Sequence, residues 1–317
     1  MNMAEELSLR QAYGSALVEL GAENENIVVL DADLSPSTMT DIFAAEFPQR
    51  FFDCGIAEQN MMGIAAGLAA SGKIVFASTF AVFAAGRAYD QLRMSIAQPR
   101  LNVKIVATHG GITVGEDGFS HHAIEDLALV CSLPNFTVVV PADAIEARLA
   151  VKAAAATPGP FYIRLARPKL PVVYANDYNF VLGKAVTVRG GADAAVIAMG
   201  IMVSRALAAA DILAREGIEL RVVNMHTLKP LDEGAIVKAA KETGAVLVAE
   251  EHLLQGGLGS RVAPVVAKNN PVPMSFLTIQ DRFTSSGKPE ELLEQHGLTA
   301  ANIAKEIRQL VSRKPKA

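Results

Sequence analysis

Cysteine is scarce: the 317 residues hold two, Cys54 and Cys131. Two thiols cannot build a disulfide framework, and these two lack a metal-ligand spacing. They fit a reducing, cytoplasmic setting, with Cys54 read as a buried, inert thiol. No basic excess exists either. Lys and Arg number 29 against 33 Asp and Glu, for a net charge of −4. That balance excludes nucleic acid or an anionic membrane as the main partner. The one basic cluster, SRKPKA at 312–317, reads as a fraying terminus. The longest apolar run, AAVIAMGIMV at 194–203, is half of the roughly 20 residues a membrane-spanning helix needs. MNMAEELSLR at the start carries acids and no apolar core, unlike a secretory signal. GxxxxGK[ST] is absent, and so is GxGxxG between a strand and a helix. QGGLGS at 255–260 is glycine-rich but reads as a helix-capping turn.

Apolar residues, by contrast, are plentiful at 51% of the chain, enough for large cores and a subunit interface. Short β-branched runs alternate with helical patterns. The strand-like runs in the first half are 26–30, 73–78, 102–107, 136–140 and 160–165; helix-like stretches lie at 56–71, 87–97 and 143–156. Continuous rather than alternating apolar strands in a βαβα rhythm predict an α/β fold with mainly parallel sheets, covered on both faces. RPKLPVVYANDYNF at 167–180 breaks the rhythm with prolines, tyrosines and an Asn-Asp turn signal. The rhythm then resumes, with helical runs at 202–216, 232–242 and 300–311. We therefore expect two doubly wound domains: residues 1–170, a linker at 171–182, and a smaller domain at 183–317.

Three stretches carry candidate chemistry. In DCGIAEQNMMGIAAGLAASG, residues 53–72, Glu58 falls in the first turn of a small-residue helix packed on all sides. The helix N-terminus favours its charge while desolvation opposes it. Such a carboxylate suits proton sharing; position alone favours the plainer reading, that it caps its helix or pairs with an arginine. Next, Phe80 and Phe83 in STFAVF could wall a planar ring or belong to the core. Arg87, Asp90 and Arg93 follow at helical spacing, as an ion-pair ladder would. Third, ATHGGITVGEDGFSHHAIEDL, 107–127, holds His109, Glu116, Asp117, His121 and His122 in a glycine-rich loop after a strand. Open α/β sheets keep their sites at such loops. No metal-ligand pattern accompanies these histidines, so a polar substrate funnel fits better.

Taken in order, DADLSPS (31–37), GIAEQNM (55–61), STFAVF (78–83), RAYDQ (87–91), ATHGGITVGEDG (107–118), SLPN (132–135), PAD (141–143) and RLARP (164–168) resemble the transketolase family of thiamine diphosphate enzymes. The resemblance covers essentially the whole chain, as the family's pyrimidine-binding domain followed by its C-terminal domain. It implies that Glu58 hydrogen-bonds N1′ of the cofactor's aminopyrimidine. The imino group this favours removes the proton from C2 of the thiazolium, and a two-carbon unit passes from a ketose to an aldose. It implies further that Phe80 and Phe83 pack on the pyrimidine, with Asp33 near the cofactor. His109, His121 and Asp117 would line the substrate channel, Asp117 on a sugar hydroxyl. Arg10, Ser37 and Arg167 would hold the sugar phosphate.

Two departures stand out. Ala84, Ala85 and Gly86 stand where some members carry another aromatic, leaving the ring less enclosed. The GDG that marks the family's diphosphate- and metal-binding half does not occur. The resemblance therefore implies a split enzyme. A separate diphosphate-binding N-terminal subunit would hold Mg²⁺ or Ca²⁺ and share thiamine diphosphate, and this chain would have no metal site. Two copies of each chain would give a heterotetramer around a homodimer of this one. Rival expectations are a 1-deoxyxylulose-5-phosphate synthase, a 2-oxo acid dehydrogenase β-like subunit, or a non-catalytic scaffold that kept the fold.

Overall fold

The computed structural model describes residues 5–314. The first four residues and the last three, including part of the basic tail, lie outside the described residues. The chain is an α/β fold built on two mostly parallel sheets.

The seven-stranded sheet runs, edge to edge, Thr227–Lys229, Thr137–Val139, Phe161–Arg164, Val103–Thr108, Ile74–Phe80, Ile27–Asp31 and Phe51–Asp53. Six of these strands are parallel. All five apolar runs read from the first half appear among them. Their interiors are buried on both faces, as continuous apolar runs require. Helices cover both sides and start on side-chain caps where the sequence supplies one. Asp143 accepts the Glu146 N–H at 2.8 Å to open Ala144–Ala156.

The stretch 87–97 departs from the expected α-helix. It winds as two π-helical segments, Phe83–Arg87 and Gln91–Ala97. The wider winding turns successive side chains through a smaller angle, so the α-helical spacing of Arg87, Asp90 and Arg93 no longer stacks them. Arg87 pairs with Glu58 instead, and no ion pair to Asp90 forms among the described residues.

The five-stranded sheet runs Met274–Ile279, Val246–Leu253, Ala194–Ala198, Leu220–Asn224 and Val186–Arg189, with only the last antiparallel. Helices Met202–Ala214, Glu233–Thr243 and Ala300–Ser312 fall where periodicity places them.

The two sheets are stitched together. Thr227–Lys229, from the second half, pairs antiparallel with Thr137–Val139 as the outer strand of the first sheet. The connecting segment is not loose. Lys169–Pro171 pairs with Glu6–Ser8. The Val173 and Tyr174 N–H groups both donate to Asp143, at 2.7 and 2.9 Å. Tyr174 and Tyr178 stack at 3.8 Å over the buried Glu146–Asn224 pair. No helix of the described residues is long and apolar enough to cross a membrane.

Candidate active site

Parallel strands end on one side of their sheet, and the segments that leave those ends meet there. Five neighbouring strands deliver the candidate residues. Asp33 follows Ile27–Asp31, Glu58 follows Phe51–Asp53, Phe80 closes Ile74–Phe80, His109 follows Val103–Thr108, and Arg167 follows Phe161–Arg164.

Glu58 is the first residue of the helix Glu58–Ala70, and its side chain is 2% exposed. It does not cap the helix, whose N-cap is Ala57. Arg87 donates to Oε1 at 2.7 Å. The other oxygen, Oε2, is buried without a partner. A buried acceptor left unmade costs about 1–3 kcal/mol, so this one marks a place where a donor belongs.

A wall of rings stands beside it. Phe80 stacks on His109 at 3.8 Å and lies 6.0 Å from Phe83, nearly parallel to it. His121 presents its edge to Phe83 at 5.3 Å. Arg87 lies over the Phe83 ring at 4.4 Å, a cation–π contact that ties the wall to Glu58. Sequence reasoning placed Phe80, Phe83, His109, His121 and Glu58 in three separate stretches, and the fold brings them into one cluster.

His109 is buried, and the Thr108 hydroxyl meets its Nδ1 at 2.9 Å. Burial lowers the imidazole to about 3, helped by the positive charges of Arg10 and Arg167 and by His121. The ring is therefore neutral at physiological pH. His109 and Asp33 both sit in the left-handed backbone region, at φ +59° and +62°. For non-glycine residues that conformation costs of order 1–3 kcal/mol and persists only where the surroundings hold it. Asp33 is exposed, and its N–H donates to Asp53 at 3.0 Å.

Arg10, Ser37 and Arg167 also converge. Arg10 donates to the Ser37 carbonyl at 2.6 Å and to the Arg167 carbonyl at 3.1 Å, and its Nε is buried without a partner. Burial lowers the Arg10 pKa, and the nearby Arg167 charge lowers it further. Two guanidiniums side by side repel one another and invite an anion. Arg167 also donates to the Val114 carbonyl and faces Glu116 at 3.4 Å and Asp117 at 3.9 Å. Asp117 thus borders Arg167, and its charge also reaches His122.

Several contacts around the site could not be assigned from the sequence. The Arg87–Glu58 pair spans 29 residues, with Arg87 the last residue of the π-helical segment Phe83–Arg87. Asp31 accepts from Thr38, Thr40 and the Leu34 N–H, and so shapes the turn bearing Ser37. Burial raises its carboxyl to about 6 against those three donors. His122 bonds the Thr284 hydroxyl and the Gly115 carbonyl, joining the loop to the second half. Cys54 is half-buried rather than buried as expected; desolvation and the charges of Asp53 and Asp31 push its thiol up to about 11, against the thiolate. Among the described residues, no group of three or more His, Cys, Asp or Glu side chains is arranged to hold a metal ion.

Residues 5–173 match the family model described as transketolase, pyrimidine binding domain, and residues 183–303 match transketolase, C-terminal domain. The chain is 48% identical over 302 residues to a putative transketolase C-terminal section of Methanocaldococcus jannaschii, covering 94% of this chain and 95% of that one. It is 42% identical over 311 residues to a 6-deoxy-6-sulfo-D-fructose transketolase subunit of a Clostridium species, covering 98% and 96%. Among solved structures it is similar to a split gene transketolase described as an inactive β4 tetramer. That likeness has a TM-score of 0.91 and 52% identity, over 98% of this chain and 100% of that one. It spans about half the length of the mammalian transketolases that it also matches.

Proposed function

The chain belongs to the transketolase family, and from that premise we propose that it is one subunit of a two-chain, thiamine diphosphate-dependent transketolase. The observation that carries this reading is Glu58, a buried carboxylate with one oxygen held by Arg87 and the other free, beside stacked rings. These residues fit the cofactor's aminopyrimidine. Glu58 Oε2 would take the bond from N1′, Phe80 and Phe83 would flank the ring, and Asp33 would stand near it. When bound, the cofactor supplies the carbon nucleophile for moving a two-carbon ketol unit from a ketose phosphate to an aldose phosphate.

The chain's own residues do the rest. Glu58 holds a proton at N1′ and so selects the ring tautomer. Its burial strengthens that bond by excluding water. His109, kept neutral by burial, would donate a hydrogen bond from its ring N–H to a substrate oxygen, with Thr108 fixing its orientation. His121 lines the same channel. Arg10 and Arg167, with Ser37, take the terminal phosphate through charge-assisted bonds. Asp117 accepts from a sugar hydroxyl.

The diphosphate and its Mg²⁺ or Ca²⁺ belong, in this reading, to a separate N-terminal subunit. Relatives of matching span are named as sections or subunits of transketolases, and the β4 form of a similar chain is described as inactive. The helix Glu58–Ala70 is not packed on all sides as its small residues led us to expect: one face is open, and in this reading it serves assembly. Gln59, Asn60, Gly63, Ile64 and Gly67 are exposed and uncharged, and Ile56 beside them is 77% exposed. Two copies of each subunit would close two sites in a heterotetramer.

The test is ketol transfer from xylulose 5-phosphate to ribose 5-phosphate with thiamine diphosphate and Mg²⁺, using this chain alone and then mixed with the diphosphate-binding subunit. Activity in the mixture only is the expected result. Activity of this chain alone overturns the two-subunit reading. Consumption of pyruvate in place of ketol transfer overturns the transketolase assignment. The named sugars of relatives, sulfofructose and apulose 4-phosphate, make the next substrate panel.

A further inference from the structure

The loop that carries His109, Asp117 and His121 belongs to the first sheet, yet a carboxylate from the second sheet sits directly beneath it. Glu251, on the strand Val246–Leu253, is 4% exposed. Its Oε1 accepts the Thr113 N–H at 2.6 Å, across 138 residues of sequence. Room for this contact is made by glycine. A Cβ at Gly111, where φ is +85°, would come within 2.2–2.5 Å of all three carboxylate atoms of Glu251.

Arg164 completes the arrangement from the first sheet. Its guanidinium donates to the Ala123 carbonyl at 2.7 Å and to the Glu251 carbonyl at 3.1 Å, and to the Asp126 carboxylate at 3.1 Å. A Cβ at Gly110 would come within 2.4–2.9 Å of the Arg164 side chain. The two ends of the loop are tied as well. The Gly111 N–H donates to Ala123, and the Leu253 N–H donates to Ile124, both at 3.0 Å. Directly before this clamp stands His109 in its left-handed backbone conformation. Such a conformation persists only where neighbouring contacts over-determine it.

We propose that Glu251 is a positioning residue: by holding the backbone at 111–113 it keeps the His109 ring stacked on Phe80 and the loop's polar groups aligned with the site. Its place in a reaction rests on the function proposed above, whereas its hold on the loop does not. The second half of the chain thus sets the geometry of a site whose candidate side chains all come from the first. Glu251 touches no site side chain directly, and its effect travels through one buried N–H.

Two variants of similar volume separate positioning from packing. Glu251→Met fills the space and accepts no hydrogen bond. Glu251→Gln keeps a neutral acceptor. Two readouts are taken. One is amide hydrogen exchange over residues 110–113 in the full chain. The other is steady-state ketol transfer by the chain mixed with its diphosphate-binding subunit. For Glu251→Met, exchange at 110–113 should quicken at least tenfold while amides of Val246–Ala249 stay protected. Its kcat should fall at least tenfold, with KM for the ketose phosphate moving far less. Glu251→Gln should lie between, within about threefold of the parent on both measures. Unchanged exchange in Glu251→Met overturns the clamp. Faster exchange with unchanged kcat overturns the positioning role. Should the methionine variant fail to fold, Glu251→Ala takes its place, and unchanged exchange at 110–113 in that variant overturns the clamp. Should the parent mixture itself be inactive, the functional reading fails while the exchange data still decide the clamp.

Discussion

Glu58 and Glu250 are two buried carboxylates, one in the first turn of its own helix and one on a strand facing the start of another, and they are used in opposite ways. Glu250 is 0% exposed. Both its oxygens are bonded, to the Leu258 and Gly259 N–H groups at 2.7 and 2.8 Å. From its strand it holds the first two N–H groups of the helix Leu258–Asn269, whose N-cap is Gly257 in the glycine-rich turn that reads as a cap in the sequence. Burial pushes its carboxyl up to about 8, while those two donors and Arg164 pull it down. Glu58 spends one oxygen on Arg87 and leaves the other buried and empty. Burial alone does not mark a functional acid; burial with an unmade bond does.

The sharpest test of that contrast is Glu58→Gln. It is expected to lower kcat of the two-chain enzyme by about 100-fold or more, with thermal stability nearly unchanged. A variant retaining full activity would falsify the assignment of Glu58 and favour a scaffold. Next in size, Arg167→Ala or Arg10→Ala should raise KM for sugar phosphates by roughly 10- to 100-fold, as the loss of a charge-assisted bond predicts. An unphosphorylated ketose should respond little, and an equal loss for both substrates would remove the arginine pair from the anion site. Glu250→Gln should do the reverse of Glu58→Gln. It leaves one helix N–H poorly bonded and should cost about 1–2 kcal/mol in urea denaturation, with kcat per folded enzyme unchanged. A fall in kcat without loss of stability would erase the distinction between the two acids.

The smallest effect is on pH, and it touches both halves. Burial lowers His109 to about 3, and His226 and His252 to about 4. Each binds its proton more weakly in the folded chain than in the unfolded one, where the value is near 6.5. The unfolded state therefore takes up protons first as pH falls. Stability from these residues is complete above 6.5 and declines toward pH 4 and then 3, by roughly 1 kcal/mol per pH unit for each. Asp31, Glu146 and Glu250, raised to about 6, 7 and 8, work the other way, favouring the folded chain as pH falls through those values. Between pH 7 and pH 4 the urea midpoint of His109→Gln should fall less, or rise more, than that of the parent. An unchanged slope in that variant would mean that His109 is not held neutral by its surroundings.

Much of this architecture is legible in the sequence, because burial on both faces writes itself as unbroken apolar runs. The strands at 27–31, 74–80, 103–108 and 161–164 follow directly. Phe51–Asp53 does not, since three residues at a sheet edge carry no period. The region 83–97 reads as helical, but nothing in its residues announces π winding, and so Arg87 finds Glu58 rather than Asp90. The order of the motifs gathers the candidate residues into one place. Their local geometry stays hidden: Asp33 and His109 are not glycines, so their left-handed backbone has no compositional sign. Glu251 is hidden for another reason, because its partner lies 138 residues away and in the other sheet.

The short strand Thr227–Lys229 governs how the molecule can be taken apart. It closes the outer edge of the seven-stranded sheet over Thr137–Val139. A fragment ending near residue 180 would contain every candidate active-site residue and still expose that row of unpaired N–H and C=O groups. Open edges of this kind recruit strands from other chains. Such a fragment is expected to aggregate, and the two halves, though each has its own sheet, must be made as one piece.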